Sequence, residues 1–396
     1  MKQDSHILLL TRCARLFAYG LLSVVLVLYL TGLGLSESQT GLLFTLTLAG
    51  DTAISLILTT RADRLGRKRM LIAGAVLMAA AGFVFASTGS FLLLLIAGTF
   101  GVISPSGNEV GPFLPIEQAS LAHIVSAQKR TGIFARYALA GSLATAAGAL
   151  AGGALTQALG GDARGVVMIY GAMGAILALL FSRLSRAIEV SGPAPDVAFG
   201  VSRSKAVVTK LSALFALDAF GGGFVVQTFA AYWFHLRWGV NASTLGAIFF
   251  GANLLAAVSA LLASRLAARI GLIRTMVFTH LPSNILLILV PLMPNLPLAI
   301  LVLLLRFSIS QMDVPARQSY TMAVVPPEER SAVAGITGVV RTAGAAMAPV
   351  FAGMLFERPA WIDAPFYIAG ALKIAYDLLL YRAFISQTTD EPLDRF

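Results

Sequence analysis

Apolar residues fill stretch after stretch of about twenty positions, and the polar residues gather in the short gaps between them. A helix that crosses a bilayer needs roughly 20 mostly apolar residues. By that rule twelve spans lie near residues 7–33, 38–60, 70–88, 91–122, 131–159, 164–184, 206–236, 241–266, 272–292, 296–323, 331–356 and 363–386. In lipid each backbone polar group must find its partner inside the protein, so such runs predict helices. Span 4 is too long for one plain crossing. It holds Ser104-Pro-Ser-Gly-Asn-Glu-Val-Gly-Pro-Phe-Leu-Pro115, with three prolines and two glycines. Each proline removes a backbone donor and clashes with the preceding turn, so span 4 is expected to be a broken helix.

Composition agrees with a lipid solvent. Of 396 residues 57% are hydrophobic and 12% charged, with a mean hydropathy of +0.82, whereas soluble domains carry about 25% charged residues. The net charge of +10 raises the thought of nucleic acid. The cations, however, sit in alternate gaps rather than on one soluble face, and Lys and Arg in short loops resist translocation. Arg61 to Arg69 follows span 2, Lys129 and Arg130 follow span 4, and Arg265, Arg269 and Arg274 lie around the gap after span 8. The gaps after odd spans are poor in cations. Both termini and the even gaps are therefore expected to be cytoplasmic, with the protein multi-pass in the cell (inner or plasma) membrane. One cysteine, Cys13, leaves no intramolecular disulfide, and the first span, carrying Arg12 and Arg15, does not read as a cleavable signal.

The chain reads as two halves: an N-terminal six-helix bundle over 1–184, a cytoplasmic linker over 185–205, and a C-terminal six-helix bundle over 206–396. The linker contains Ser191-Gly-Pro-Ala-Pro195. At an offset of 315 − 115 = 200, Pro115 meets Pro315, Gln118 meets Gln318, Arg130 meets Arg330 and Gly153 meets Gly353. Arg64-Leu-Gly-Arg-Lys-Arg69 is echoed by Arg269-Ile-Gly-Leu-Ile-Arg274 at a slightly different offset. These echoes suit parallel repeats about an axis along the membrane normal.

Arg61-Ala-Asp-Arg-Leu-Gly-Arg-Lys-Arg-Met70 carries the most specific signal. Asp63, Arg64, Gly66, Arg67 and Lys68 resemble the loop signature of the major facilitator superfamily, a Gly-x-x-x-Asp-Arg-x-Gly-Arg-Lys/Arg pattern with Thr59 in the first glycine's place. Gly148-Ala-Leu-Ala-Gly-Gly153 in span 5 partly resembles the Gly-Pro-x-x-Gly-Gly signature of antiporter branches, with Ala149 for the proline. The resemblance, to a drug/proton-antiporter-like 12-helix branch, implies an all-α integral membrane fold with 12 transmembrane helices in two pseudo-symmetric bundles. It also implies that spans 1, 4, 7 and 10 surround a central cavity, and that the loop residues latch one conformation.

Charged groups inside spans cost roughly 2.5–3.5 kcal/mol each on insertion scales, so they are expected to face the interior and pair. Glu109 and its neighbour Asn108, in the broken stretch of span 4, are candidates for substrate or proton binding. So are Asp51 in span 2 and Asp218, just before Gly221-Gly-Gly223 in span 7. Arg306, Ser310, Asp313 and Arg317 share a stripe of span 10, where Arg306 and Asp313 are further candidates for substrate or proton binding; Asp313 is expected to pair with Arg317, leaving Arg306 in need of a partner. Arg12 and Arg15 read as snorkelling cations. Lys373 and Asp377, four apart, read as a structural pair, and His280 as a packing residue. Metal-ligand spacing, a nucleophile with its base and a phosphate-binding glycine loop are missing, which argues against an enzyme and against any cofactor. The expected function is alternating-access transport of a small molecule, as proton-coupled efflux by antiport. A proton-coupled uptake symporter and a non-transporting membrane sensor are the alternatives. The partners are then a small-molecule substrate, protons as coupling ion and the lipid bilayer, with no nucleic acid, and the protein is expected to act as a monomer.

Overall fold

A computed structural model describes residues 2–189, 203–326 and 329–385; residues 190–202, within the expected linker, lie outside the described residues. Among the described residues every regular element is helical. Sixteen α-helices follow one another: α1 (Lys2–Ser23), α2 (Leu26–Gly32), α3 (Glu37–Leu65), α4 (Arg67–Ser87), α5 (Phe91–Phe100), α6 (Phe113–Ile124), α7 (Ala127–Ala158), α8 (Arg164–Ser182), α9 (Lys205–Gly223), α10 (Gln227–Trp238), α11 (Ala242–Ile270), α12 (Leu272–Leu289), α13 (Leu296–Phe307), α14 (Asp313–Ala323), α15 (Arg330–Phe356) and α16 (Ala364–Phe384). They account for the twelve expected spans, because four spans are each made of two helices: α1 with α2, α5 with α6, α9 with α10, and α13 with α14. Only the break in span 4 was foreseen from the prolines.

Local chemistry sets several boundaries. Ser36 and Gln39 form a reciprocal capping box at the start of α3, satisfying two donors that the first turn would leave open. Asn295 caps α13 by accepting the Leu298 amide at 3.0 Å. Gly66, at φ +101°, turns the chain between α3 and α4, a conformation open to glycine and strained for other residues. Large apolar side chains face outward, with Leu92, Phe100 and Leu179 more than 60% exposed. Hydrocarbon is the natural solvent for such a surface.

The chain divides into two compact units. The first comprises Met1–Pro195 together with Val226–Phe250, and the second Asp196–Val225 with Gly251–Phe396. Residues 226–250, expected to belong wholly to the C-terminal bundle, thus pack with the first unit. In that unit α1 packs on α7 and α8, and α4 on α8 and α6. In the second, α9 packs on α15 and α16, and α12 on α16 and α14. Each pairing recurs six spans later.

Small residues let these helices touch through their backbones. A Cβ at Gly148 of α7 would overlap the carbonyl oxygen of Phe17, and one at Gly152 that of Leu21, both on α1. Gly153 lies in the same way against Ala242 and Gly246 of α11, within the first unit. The glycines that resemble an antiporter signature are thus the contact face of α7. Gly148→Leu is expected to destabilise the protein by about 1–3 kcal/mol through overpacking, lowering its melting temperature in detergent. Gly32→Ala, where nothing lies within 4 Å of the added carbon, should melt with the wild type.

Candidate functional site

Residues 101–112, between α5 and α6, form the largest irregular stretch inside an expected span, and side chains from three other elements and a backbone amide from a fourth hold it. Tyr19 of α1 donates to the Val110 carbonyl at 3.0 Å, and Tyr170 of α8 to the Val102 carbonyl at 2.5 Å. Ser104 donates to the Asn108 carbonyl at 2.7 Å. The Thr228 amide, from α10, donates to the Pro105 carbonyl at 3.3 Å. The Gly111 amide donates to Asp51 Oδ1 of α3 at 2.7 Å. Irregular backbone survives at membrane depth only when its polar groups are met in this way. Gly111 adopts φ +80°, so this tight corner needs glycine.

Asp51 is the candidate acid with the simplest surroundings. It is 4% exposed, and the Gly111 amide is its hydrogen-bond donor. Among the described residues no Lys, Arg or His lies within ion-pair distance of it. Asn108, by contrast, is exposed at the tip of the stretch.

Glu109 turns toward α1. It pairs with Arg12 and, at 2.8 Å, with Arg15 Nε. The Arg15 guanidinium also makes a bidentate contact with Glu117 of α6, at 3.0 and 2.8 Å. Thr11 donates to Glu117 at 2.8 Å, and the Tyr137 hydroxyl of α7 donates to the same carboxylate. Arg15 stacks over the Phe113 ring at 4.6 Å, and Arg12 over Tyr137 at 4.8 Å. Arg15 and Glu117 are fully buried. The expectation that Arg12 and Arg15 snorkel is therefore corrected: two acids on span 4 draw both cations inward.

A second cluster forms within the second unit around Asp218 of α9. Its carboxylate meets Lys373 Nζ at 2.6 Å and Arg317 at 3.2 Å, with His280 Nε2 at 3.6 Å. Arg317 also pairs with Asp313 at 3.1 Å, the spacing the sequence suggested. His280 Nδ1 lies 2.9 Å from Asp377, which also accepts from Asn284 at 3.0 Å. Lys373 and Asp377 thus part company: Lys373 reaches α9 and Asp377 reaches α12. His280 is a bridge between two carboxylates rather than a packing residue. Arg306, at the end of α13, finds no carboxylate among the described residues, and its Nε has no hydrogen-bond partner.

The loop residues form a separate group. Asp63 is held by Arg67 at 2.8 Å, one turn on. The amides of Arg67 and Lys68, at the start of α4, donate to the Glu189 carboxylate at 2.7 and 3.2 Å. An acid at a helix N-terminus is favoured by the exposed amides and the dipole. Lys68 Nζ donates to the Leu184 carbonyl at 2.8 Å. Arg64 is exposed and Gly66 makes the turn. Among the described residues, no group of three or more His, Cys, Asp or Glu side chains is arranged to hold a metal.

Sequence reading missed Arg15, Glu117, Tyr137, His280, Asn284 and Lys373 as members of these networks. The usable signal was balance: each cation inside a span requires an acid somewhere, and Glu117 was the unclaimed one. Breaking a buried pair on one side typically costs about 3–5 kcal/mol. Glu117→Gln, which leaves the buried Arg15 with Glu109 as its one remaining carboxylate among the described residues, is expected to lower the melting temperature in detergent. The double change Arg15→Met with Glu117→Met should recover part of the loss, and strict additivity of the two singles would contradict the coupling.

Residues 8–305 and 211–395 match the model of the Major Facilitator Superfamily. The uncharacterized membrane protein YJR124C of Saccharomyces cerevisiae is 32% identical over 411 residues, covering 94% of this chain and 92% of that protein. Among solved structures, a bacterial homolog of the human lysosomal transporter Spinster, inward-facing and occupied, aligns at TM-score 0.73 and 19% identity over 96% of this chain and 94% of that one. The nucleoside transporter NupG aligns at TM-score 0.75 and 12% identity over 96% and 99%. With its all-helical, multi-span fold and loop signature, the chain belongs to the Major Facilitator Superfamily: it is a multi-pass membrane transporter and not an enzyme.

Proposed function

We propose that this transporter is a proton-coupled exporter that exchanges H⁺ for a small molecule by alternating access, with Asp51 as the proton carrier. The observation that carries the reading is the contrast among the buried acids. Glu109 is held by Arg12 and Arg15, Asp313 by Arg317, and Asp218 by Lys373 and Arg317. Asp51 is buried without such a cation, so it can gain and lose a proton without rupturing an ion pair.

Its protonation state would reach the rest of the protein through one bond. A carboxylate accepts a backbone N–H about twice as strongly as a neutral acceptor does. A proton on Asp51 would therefore loosen its hold on Gly111 and on the irregular stretch that also carries Glu109 and Asn108. Asp63, Arg64, Gly66, Arg67 and Lys68 would serve as a latch between conformations. Export rather than uptake is supported by the likeness of Gly148–Gly153 to the antiporter signature, whose Gly148 and Gly152 meet α1 and whose Gly153 meets α11. The protein would act as a single chain in the plasma or inner membrane, with both termini cytoplasmic.

Proteoliposomes containing a pH-sensitive dye, supplied with a solute found by thermal-shift screening, test this reading. Wild type should move protons against the solute. Asp51→Asn should cut solute-linked proton movement at least about tenfold, a loss worth roughly 1.4 kcal/mol, while solute-for-solute exchange continues. Wild-type proton movement by Asp51→Asn contradicts the assignment. Protons and solute moving together would make the protein a symporter, and binding without flux a sensor.

A further inference from the structure

Well inside the spans of the second unit, away from their ends, stand four cations and three acids. Lys373, Arg317, Arg306 and Arg341 lie on its helices, against Asp218, Asp313 and Asp377. Each acid is already engaged. Asp218 meets Lys373 and Arg317, Asp313 meets Arg317, and Asp377 meets His280 and Asn284. The two remaining arginines stand apart.

Arg306 ends the first half of span 10, one residue before the close of α13. Its Nε is shielded from solvent and bonded to nothing; its contact is with the face of Phe307, 4.9 Å from Cζ to the ring centre. Arg341 lies on α15, whose Gly344 abuts Ala216 of α9. Its Nε is likewise shielded and unbonded. Arg341 is within electrostatic reach of Asp218 and Asp313, yet among the described residues neither it nor Arg306 has a carboxylate at ion-pair distance. Nor does either guanidinium donate a hydrogen bond to another described residue. A cation left so at membrane depth is costly. A guanidinium offers a rigid fork matched to carboxylate, phosphate or sulfonate.

We infer that the transported substrate is an organic anion, and that Arg306 and Arg341 are the unmatched cations that attract and bind it. The inference rests on the reading of the chain as a transporter of small molecules and adds the substrate's chemical class. Four permanent cations facing three carboxylates leave a surplus of one positive charge, so a monoanion restores neutrality.

Purified full-length protein in a neutral detergent tests the idea with three probes of matched size: 2-naphthalenesulfonate, 2-naphthyltrimethylammonium and 2-naphthylmethanol. The sulfonate should raise the wild-type melting temperature and the other two should not. Arg306→Gln and Arg341→Gln should each weaken the sulfonate response about tenfold to a hundredfold, the loss of a charged hydrogen bond. Each should also leave the empty protein as stable as wild type or more so, because an unmatched cation has been removed. A structural arginine would behave oppositely, and a lowered melting temperature of both empty variants overturns the inference. So does a sulfonate response that survives both substitutions, an absent sulfonate response, or stabilisation by the ammonium probe alone. Stabilisation by phosphatidylglycerol without any by the sulfonate would assign the arginines to lipid and overturn it too. Proton-linked flux of a cationic or neutral solute by the wild type would leave the transporter reading standing while this inference falls.

Discussion

Backbone amides and carbonyls have no water to turn to inside a bilayer, and that constraint explains the most unusual parts of this chain. Spans 1, 4, 7 and 10 each abandon regular helix part-way. Wherever they do, other groups take over the bonds that the helix would have made. Residues 101–112 are tied by Tyr19, Tyr170, Thr228 and Asp51. The break after Ser23 is met from α10, where the Thr228 hydroxyl accepts the Val27 amide at 3.1 Å and Gln227 donates to the Ser23 hydroxyl at 2.6 Å. In span 10 the Gln311 amide donates to Ser259 at 3.1 Å. These breaks need tertiary partners to exist, which ties local backbone shape to how the helices pack. A transporter uses such places because backbone freed from its helix can respond to a ligand or a proton.

Charge follows the same logic. In the first unit two arginines of α1 are matched by two glutamates of span 4, and Asp51 stands outside that balance. In the second unit Asp218, Asp313 and Asp377 are engaged, and Arg306 and Arg341 stand outside it. Paired groups give a rigid scaffold, because removing either partner leaves a charge in a poor solvent. Groups outside the pairing are the ones free to take something up. The structure thus separates charges held in ion pairs from charges that stand outside them, a division that residue type alone does not reveal.

How much of this was legible beforehand varied with the range of the interaction. Apolar runs located the spans, since lipid imposes a length and a period on single segments. The prolines and glycines of residues 104–115 announced the broken span 4, and the i,i+4 spacing of Asp313 and Arg317 announced their pair. Gly221-Gly-Gly223 stands where span 7 breaks, whereas the breaks in spans 1 and 10 carry no comparable signal. Val24 and Val25 look like ordinary helix, and the bend of 49° between α1 and α2 depends on α10 supplying partners. The Arg15–Glu117 contact joins residues 102 positions apart, beyond any periodicity. Lys373 and Asp377 misled for the opposite reason: correct local spacing lost to stronger partners on other helices. Residues 226–250 also belong to a unit that chain order would not have chosen.

The central claim is that one hydrogen bond, from the Gly111 amide to Asp51, lets a proton govern the irregular backbone of span 4. Amide hydrogen exchange across residues 101–112, with wild type and Asp51→Asn compared at the same pH, measures it most directly. The account predicts that these amides lose protection in the variant, and in the wild type on acidification once intrinsic exchange rates are divided out, while the core of α8 keeps its own. Equal protection of this stretch in both proteins at every pH would contradict it.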